Sequence, residues 1–254
     1  IIGALILLVF IAFIRGNLRI PFSTIPYVIL SSICACILIT LTYHAVDYLD
    51  VGLVMLILYC FPLGVTFISY FRGKSKIVFV QWLSMVVLIL GLYLMLSSGD
   101  QILNLYGLFI SFLGLLFFIA FIVTASDLSE QIGATTFNLY VSLLGIIFLT
   151  VGFILPLGFE MDLPLTKTGI FAIFANGVFY ISSWVLFFKG ASIIGATRSS
   201  MLACIEPLFA ALLAIILLKQ ILSVTEWIGF FIVLTAIYTF EKNSEKPEAR
   251  SRSS

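Results

Sequence analysis

Apolar runs of about the length needed to cross a bilayer dominate this sequence. Nine such runs are separated by short polar breaks: 1–14, 25–46, 51–71, 77–96, 103–124, 135–155, 168–188, 196–218 and 224–240. A helix needs about 20 apolar residues to cross a hydrocarbon core of about 30 Å. Hydrophobic residues make up 62% of the chain and charged residues 10%, whereas soluble domains are about half apolar and about a quarter charged. The sequence therefore predicts an all-α integral membrane protein with about nine helices.

The distribution of Lys and Arg predicts which helix ends face the cytoplasm. If the breaks alternate between two sides, one side receives 11 basic residues and the other receives two. The larger set is Arg15, Arg19, Arg72, Lys74, Lys76, Lys189, Arg198, Lys242, Lys246, Arg250 and Arg252, and the smaller set is Lys167 and Lys219. By the positive-inside rule, the basic side and the C-terminus are cytoplasmic. The break at 127–133 belongs to this side although it has acids and no base, because acids contribute little to topology.

A repeat with an offset of 145 residues relates two parts of the chain. The pairs at this offset include Pro62 with Pro207 and Trp82 with Trp227. The pattern of helices and breaks in 25–96 overlays that in 168–240 without a gap. Internal symmetry of this kind is common in membrane transporters.

The repeat predicts ten helices in two halves of five, with the first helix outside this sequence. If 103–124 opens the second half, its counterpart would lie before Ile1. The predicted first half is then 1–96 and the second half 103–240, followed by a disordered cytoplasmic tail at 241–254. Because five is odd, the halves cross the membrane in opposite senses. Secondary transporters often have this arrangement, with the substrate site near the bilayer midplane.

Glu206 is the only acidic residue in the middle of an apolar run, about ten residues from either end of 196–218. A charge at the bilayer centre costs about 3 kcal/mol on insertion scales, so such a residue usually has a function or a partner. Two interpretations remain open. Glu206 either binds substrate or carries a proton, or it is a structural carboxyl that bonds to a neighbouring helix or to freed backbone.

Pro62 and Pro207 are predicted to kink their helices, because proline cannot donate a hydrogen bond to the carbonyl four residues earlier. As a symmetric pair they are candidate pivots for gating. The alternative is ordinary packing, since proline kinks are common in membrane helices.

A polar face on the run 168–188 predicts cavity-lining residues. Asn176, Tyr180 and Trp184 recur at steps of four, which places them on one side of a helix. Polar faces of membrane helices usually look into the bundle or into a wet cavity. Tyr59, which lies about one turn before Pro62, is a further candidate for the cavity lining.

Several kinds of chemistry are excluded by the same sequence. Four cysteines lie inside apolar runs without metal-ligand spacing, and the single histidine, His44, lies at a helix end. We therefore predict no metal and no cofactor. The net charge of +1, with no basic stripe in a folded segment, predicts no nucleic-acid partner. An intramembrane aspartyl enzyme would need two buried carboxyl groups, whereas only Glu206 lies at mid-membrane, so no enzymatic activity is predicted.

The second part of the chain resembles the closing part of an EamA domain of the drug/metabolite transporter superfamily. The resemblance is carried by the stretch from Gly195 to Ala214, which contains Glu206-Pro207, and then by Lys219 and Trp227-Ile-Gly229. Matching features in the first part are Tyr43, Ala45, Tyr59-Cys-Phe-Pro62 and Gly91. The resemblance covers essentially the whole chain in two copies, so that 1–96 and 103–240 are each similar to one EamA repeat.

This resemblance implies a ten-helix fold of two inverted halves around a central cavity, with both termini cytoplasmic. It also implies a secondary transporter of the inner membrane that exports or exchanges small metabolites or amino acids by alternating access. The expected partners are a small-molecule substrate, the bilayer and coupled protons, with the chain a monomer or a homodimer. One alternative on the same scaffold is a lipid or isoprenoid-phosphate flippase, for which Lys189 and Arg198 are candidate cations.

Overall fold

The computed structural model is helical throughout most of the residues that it describes, which are 2–15, 19–96, 104–154, 166–219 and 221–244. Within these ranges the α-helices are α1 (Ile2–Arg15), α2 (Ile25–Val46), α3 (Val51–Leu58), α4 (Phe61–Phe71), α5 (Phe79–Leu96), α6 (Leu105–Ile132), α7 (Ala134–Ile154), α8 (Lys167–Ile194), α9 (Ala196–Ala203), α10 (Glu206–Leu218) and α11 (Val224–Ser244). Seven helical segments are long and apolar enough to span a membrane, with α3–α4 and α9–α10 each counted as one segment. The prediction of an all-α membrane protein is confirmed.

Two helical segments are interrupted shortly before a proline. Helices α3 and α9 end at Leu58 and Ala203, each four residues before Pro62 or Pro207. The proline ring collides with the carbonyl four residues earlier, and proline has no N–H to donate to it. Each helix therefore stops at the residue whose carbonyl would lose its partner, and a new helix starts one residue before the proline.

The sequence repeat reappears in the backbone at these two breaks. Adding 145 to the bounds of α3, Val51–Leu58, gives those of α9, Ala196–Ala203. The next residue in each case has nearly the same conformation: φ is −68° and ψ is 0° at Tyr59, and φ is −67° and ψ is 1° at Cys204. The offset found in the sequence therefore relates two equivalent helix breaks.

Helices α6 and α8 are longer than predicted. Each continues through a polar stretch that was expected to be a break, at 127–133 and at 189–195. The polar residues there are compatible with helix, so the loss of hydropathy did not mark the helix end. Gly133 and Gly195 end the two helices, with φ of +85° and +86°. Glycine adopts this left-handed conformation without steric cost, and it is common just after a helix C-terminus.

The chain divides into two compact units, each of which draws on both parts of the repeat. The first unit comprises Ile1–Ile37 and Ala120–Ile193. In it, α1 packs on α7, and a small core forms from Leu8, Ala12, Leu139 and Ile181. The second unit comprises Leu38–Ile119 and Ile194–Ser254.

The most extensive packing in the second unit is between α5 and α11. The two helices approach closely at Gly91 and Gly229. A Cβ atom at Gly229 would lie 2.5 Å from the Gly91 carbonyl oxygen and 2.8 Å from the Met95 backbone nitrogen. Small residues permit such close approach of membrane helices, whose association relies on van der Waals packing.

Polar contacts bring three chain segments to one end of the second unit. The Gln81 Nε2 group, near the start of α5, donates to the Ser244 Oγ atom at the end of α11 over 2.7 Å. The Arg198 guanidinium in α9 donates to the Glu241 carboxylate in α11, with Nε 3.1 Å from Oε2. The basic stretch before α5, the start of α9 and the end of α11 therefore lie at the same end of the second unit. This agrees with the predicted placement of their Lys and Arg residues on one side of the membrane. The cytoplasmic orientation of that end is still a prediction.

Helix α11 continues to Ser244, beyond the predicted end at 240, and Glu241 is partly buried rather than part of a solvated tail. The remaining tail, 245–254, lies outside the described residues.

We expect Glu241→Ala to lower the free energy of unfolding by about 1–3 kcal/mol, because the half-buried Arg198 loses its charged hydrogen-bond acceptor. The measurement is thermal unfolding of the purified full-length chain in detergent. Glu130→Ala, which removes an exposed acid from α6, is the matched control and should change stability little. Equal unfolding temperatures for the two variants would contradict a stabilising Arg198–Glu241 pair.

Candidate functional site

The two proline breaks bring Tyr59 and Glu206 together in the second unit. Tyr59 caps the C-terminus of α3, and Glu206 is the first residue of α10. The Tyr59 phenol lies close enough to the Glu206 carboxyl for the two groups to interact electrostatically. Helix α9 packs against α4, so the helices on either side of the two breaks are in contact. Tyr59 is half-buried, whereas Glu206 is exposed.

Each member of this pair comes from a different copy of the repeat. The contact between them therefore joins two equivalent helix breaks that are far apart in the sequence. Both residues were cavity candidates from the sequence, but nothing in the sequence indicated that they contact each other. We call Tyr59 and Glu206 the Tyr–Glu pair.

Two cysteines adjoin the Tyr–Glu pair, and the sequence reasoning assigned them only to packing. Cys204, two residues before Glu206, is buried, and Cys60, next to Tyr59, is half-buried. The Cys60 thiol, in the break between α3 and α4, lies 3.5 Å from the Leu56 carbonyl oxygen of α3, to which it donates. The 145-residue offset aligns Cys204 with Tyr59, so the repeat itself could have identified Cys204 as a neighbour of the site.

The Tyr–Glu pair offers one donor and one acceptor at a discontinuity in two helices. A carboxylate attracts a proton or an ammonium group, and a phenol donates to an oxygen or stacks on an apolar solute. Broken membrane helices also leave backbone carbonyls free to bind ions or solutes, which makes them common binding sites in transporters. The local geometry therefore suits binding of a small polar molecule or a proton.

The remaining predicted residues lie on α8 in the first unit. Asn176 is exposed, and Tyr180 has a relative exposure of 50%. Trp184 is half-buried in an aromatic cluster, with its ring stacked on Phe188 at a centroid distance of 5.5 Å and edge-on to Phe121 at 5.4 Å. Trp184 is thus held by aromatic contacts, and Asn176 and Tyr180 are exposed on α8.

Within the described parts of the chain, no group of three or more His, Cys, Asp or Glu side chains could hold a metal ion. The four cysteines are free.

The fold is similar to that of a protein of known crystal structure. The two superpose with a TM-score of 0.73, covering 96% of this chain and 85% of that one at 14% sequence identity. An identity this low establishes similarity of fold alone.

A relative in Salmonella typhimurium, strain LT2, is named an uncharacterized inner membrane transporter, YicL. It is 34% identical over 61 residues, which amount to 24% of this chain and 20% of the relative. The match therefore spans about a fifth of that protein's length.

The model of the EamA-like transporter family matches residues 1–97 and 105–240, nearly the whole chain. The resemblance inferred from the Glu206-Pro207 stretch and its counterpart around Pro62 is thereby confirmed. The apolar helices agree with a location in the membrane. The chain is a multi-pass membrane protein that belongs to the EamA-like transporter family.

Proposed function

We propose that this chain is a secondary transporter that exports or exchanges small metabolites or amino acids across the cytoplasmic membrane by alternating access. The observation that carries the proposal is the Tyr–Glu pair, which links two equivalent helix breaks. Membership of a transporter family and the inner-membrane name of the relative support it.

The breaks provide a physical basis for movement. Each of the two interrupted segments consists of two short helices joined by two residues, at Tyr59–Cys60 and at Cys204–Ile205. Hinges in proteins are usually a few residues at element ends that absorb the change in φ and ψ. We therefore assign the breaks next to Pro62 and Pro207 as pivots, and the Tyr–Glu pair as the group that changes its partners when they bend.

Glu206 is the proposed coupling residue. A proton on the carboxyl, or an ammonium group beside it, competes with the Tyr59 hydroxyl for the same oxygen atoms. A ligand shifts a conformational equilibrium only if it binds one state better than the other. If the Tyr–Glu contact forms in one state only, occupation of Glu206 links binding to the conformational change.

Asn176 and Tyr180 are proposed to contact the solute from α8. Their amide and phenol groups can donate and accept hydrogen bonds, as recognition of a polar metabolite requires. Trp184 is proposed to line the same cavity, with its ring oriented by packing on Phe121 and Phe188.

The flippase alternative receives less support. Of its two candidate cations, Arg198 donates to Glu241 and is thus engaged within the second unit. The metabolite transporter is therefore the function that we propose.

The first experiment identifies the solute. Thermal unfolding of the purified full-length chain in detergent is screened against amino acids, nucleotides and amphiphilic cations. Compounds that raise the unfolding temperature are then tested for flux in proteoliposomes without ATP. A stabilising compound that crosses protein-containing vesicles faster than empty ones supports the proposal, and an absence of flux for every stabilising compound contradicts it.

Tyr59→Phe is expected to reduce the initial rate of transport about threefold to tenfold and to leave the unfolding temperature nearly unchanged. The variant removes the hydroxyl next to Glu206 but keeps the ring, and a polar contact to a charged group contributes about 1.5–3 kcal/mol at most. Tyr93→Phe, which removes an exposed hydroxyl from α5, is the matched control and should transport normally. If Tyr59→Phe also transports at the normal rate, the contact has no part in the cycle.

A further inference from the structure

A cavity of about 320 Å³ lies in the first unit, where α6 meets α7. It is lined by Ala12 of α1, by residues on both sides of the glycine that joins α6 to α7, and by two residues near the end of α8. The described residues of the lining are Ala12, Ser129, Ile132, Gly133, Ala134, Thr135, Thr136, Lys189 and Ser192. None of these residues belongs to the Tyr–Glu pair, so the proposed transport site does not account for the cavity.

Among the described residues that line the cavity, the charged one is a cation. Lys189 lines it, whereas the acids of the last turns of α6, Asp127 and Glu130, do not. Neither the His44–Asp47 pair nor the Arg198–Glu241 pair involves Lys189, whose side chain is exposed. The lysine is therefore available to an anion that enters the cavity.

The N-terminus of α7 opens into the same cavity. At this end of α7, the Phe137 N–H donates a hydrogen bond to the Gly133 carbonyl oxygen over 2.9 Å. In any helix, the N–H groups of the first turn come before the first such hydrogen bond and have no acceptor within the helix. They carry the positive end of the helix dipole and favour an anion. Ala134 and Thr135, which belong to this turn, line the cavity.

Ser129 supplies an independent indication of a ligand. Its side chain is 3% exposed, and its Oγ atom has no hydrogen-bond partner. A buried hydroxyl without a partner costs about 1–3 kcal/mol, so such groups normally meet a bound molecule or water. Ser129 also belongs to the lining of the cavity.

We propose that this cavity binds the phosphate group of a small molecule or of a lipid headgroup. Lys189 supplies the charge, the first turn of α7 supplies N–H donors, and Ser129 donates its hydroxyl. The Ser192 hydroxyl, which donates to the Lys189 carbonyl over 2.8 Å, positions the end of α8 beside the site. The carbonyl groups at the C-terminus of α6 carry partial negative charge and repel an anion at this junction. The positive charge of Lys189 is therefore needed to make anion binding favourable.

The site predicts a specific response of the full-length chain, purified in a neutral detergent, to two probes. Sodium phosphate is titrated at constant ionic strength, and a short-chain phosphatidylglycerol is compared with phosphatidylcholine of the same chain length. Thermal unfolding gives the half-saturating concentration. Binding to the folded state raises the unfolding temperature with ligand concentration.

We expect at least one phosphate-bearing probe, inorganic phosphate or phosphatidylglycerol, to stabilise the wild-type chain. Lys189→Gln should raise the half-saturating concentration at least about tenfold, as expected for loss of a charge-assisted contact. Lys189→Arg should retain binding, and Ser129→Ala should weaken it by a smaller factor. Lys76→Gln, which removes an exposed lysine outside the cavity, is the control and should behave like the wild type.

The two arms distinguish the sources of the phosphate. A response to inorganic phosphate indicates a soluble ligand, and a response to phosphatidylglycerol alone indicates a lipid headgroup. The proposal is overturned if neither probe stabilises the wild type, or if Lys189→Gln and the wild type respond equally. Neither result bears on solute flux, which is measured separately for the proposed transporter.

Discussion

Glu206→Gln is expected to reduce the initial rate of solute flux in proteoliposomes by at least about tenfold, with the protein still folded. The amide keeps the size of the side chain but cannot carry a negative charge or bind a proton. The contact of Glu206 with the Tyr59 phenol is then one between neutral groups. A loss of about 1.4 kcal/mol corresponds to a factor of ten, which is close to the lower end of the range for a polar contact to a charged group. Glu130→Gln, an exposed acid on α6, is the matched control and should transport normally.

The same variant tests the role of the proton. Flux is measured with and without an imposed pH gradient, over a range of pH values. We expect the wild type to respond to the gradient and Glu206→Gln to lose that response. A variant that transports at the wild-type rate at every pH would show that Glu206 is a structural carboxyl, which is the second interpretation left open by the sequence.

Gly229→Ala is expected to destabilise the protein by about 3 kcal/mol, at the upper end of typical overpacking costs. The new Cβ atom would lie 2.5 Å from the Gly91 carbonyl oxygen and 2.8 Å from the Met95 backbone nitrogen. Both are backbone atoms, so no side-chain rotation relieves the overlap, and α5 and α11 must move apart. Thermal unfolding in detergent should show a fall of roughly 6–12 °C for a chain of this size.

Gly145→Ala is the matched control for this prediction. Gly145 lies in α7, and a Cβ atom there would meet no atom within 4 Å. The same substitution should therefore leave stability unchanged or raise it by up to about 1 kcal/mol, because Ala is the better helix former. If both variants unfold at the wild-type temperature, α5 and α11 do not pack as closely as the structure indicates.

The spanning segments could be predicted from the sequence because hydropathy is a local property. A bilayer requires about 20 apolar residues per helix, and the runs show this directly. The ends of α6 and α8 could not be predicted in the same way. Hydropathy falls where a chain leaves the membrane, but the backbone stays helical until a residue such as Gly133 or Gly195 adopts a positive φ.

Part of the candidate site could also be predicted. The prolines identified the breaks, because proline has no N–H and leaves the carbonyl four residues earlier without its hydrogen-bond donor. Glu206 stood out because a charge is rare at mid-membrane. The contact between Tyr59 and Glu206 depends on how two distant segments pack, and no local pattern encodes it. For Trp184, the face of the helix was inferred from spacing, and its partner Phe188 follows one turn later on α8, but its partner Phe121 comes from α6.

The Arg198–Glu241 ion pair illustrates the same limit. Arg198 was assigned to the basic side and Glu241 to a solvated tail, and each assignment followed from charge alone. The tertiary packing of α9 on α11 instead places the two side chains in contact.

Counterflow in proteoliposomes tests the central claim most directly. Vesicles containing the full-length chain are preloaded with an unlabelled solute that stabilises the protein, and trace labelled solute is added outside without ATP. Alternating access predicts that the label accumulates transiently above its external concentration, because unlabelled solute leaving the vesicle returns the carrier to its outward-facing state. Label that only equilibrates, or that accumulates solely when ATP is supplied, would contradict a secondary transporter.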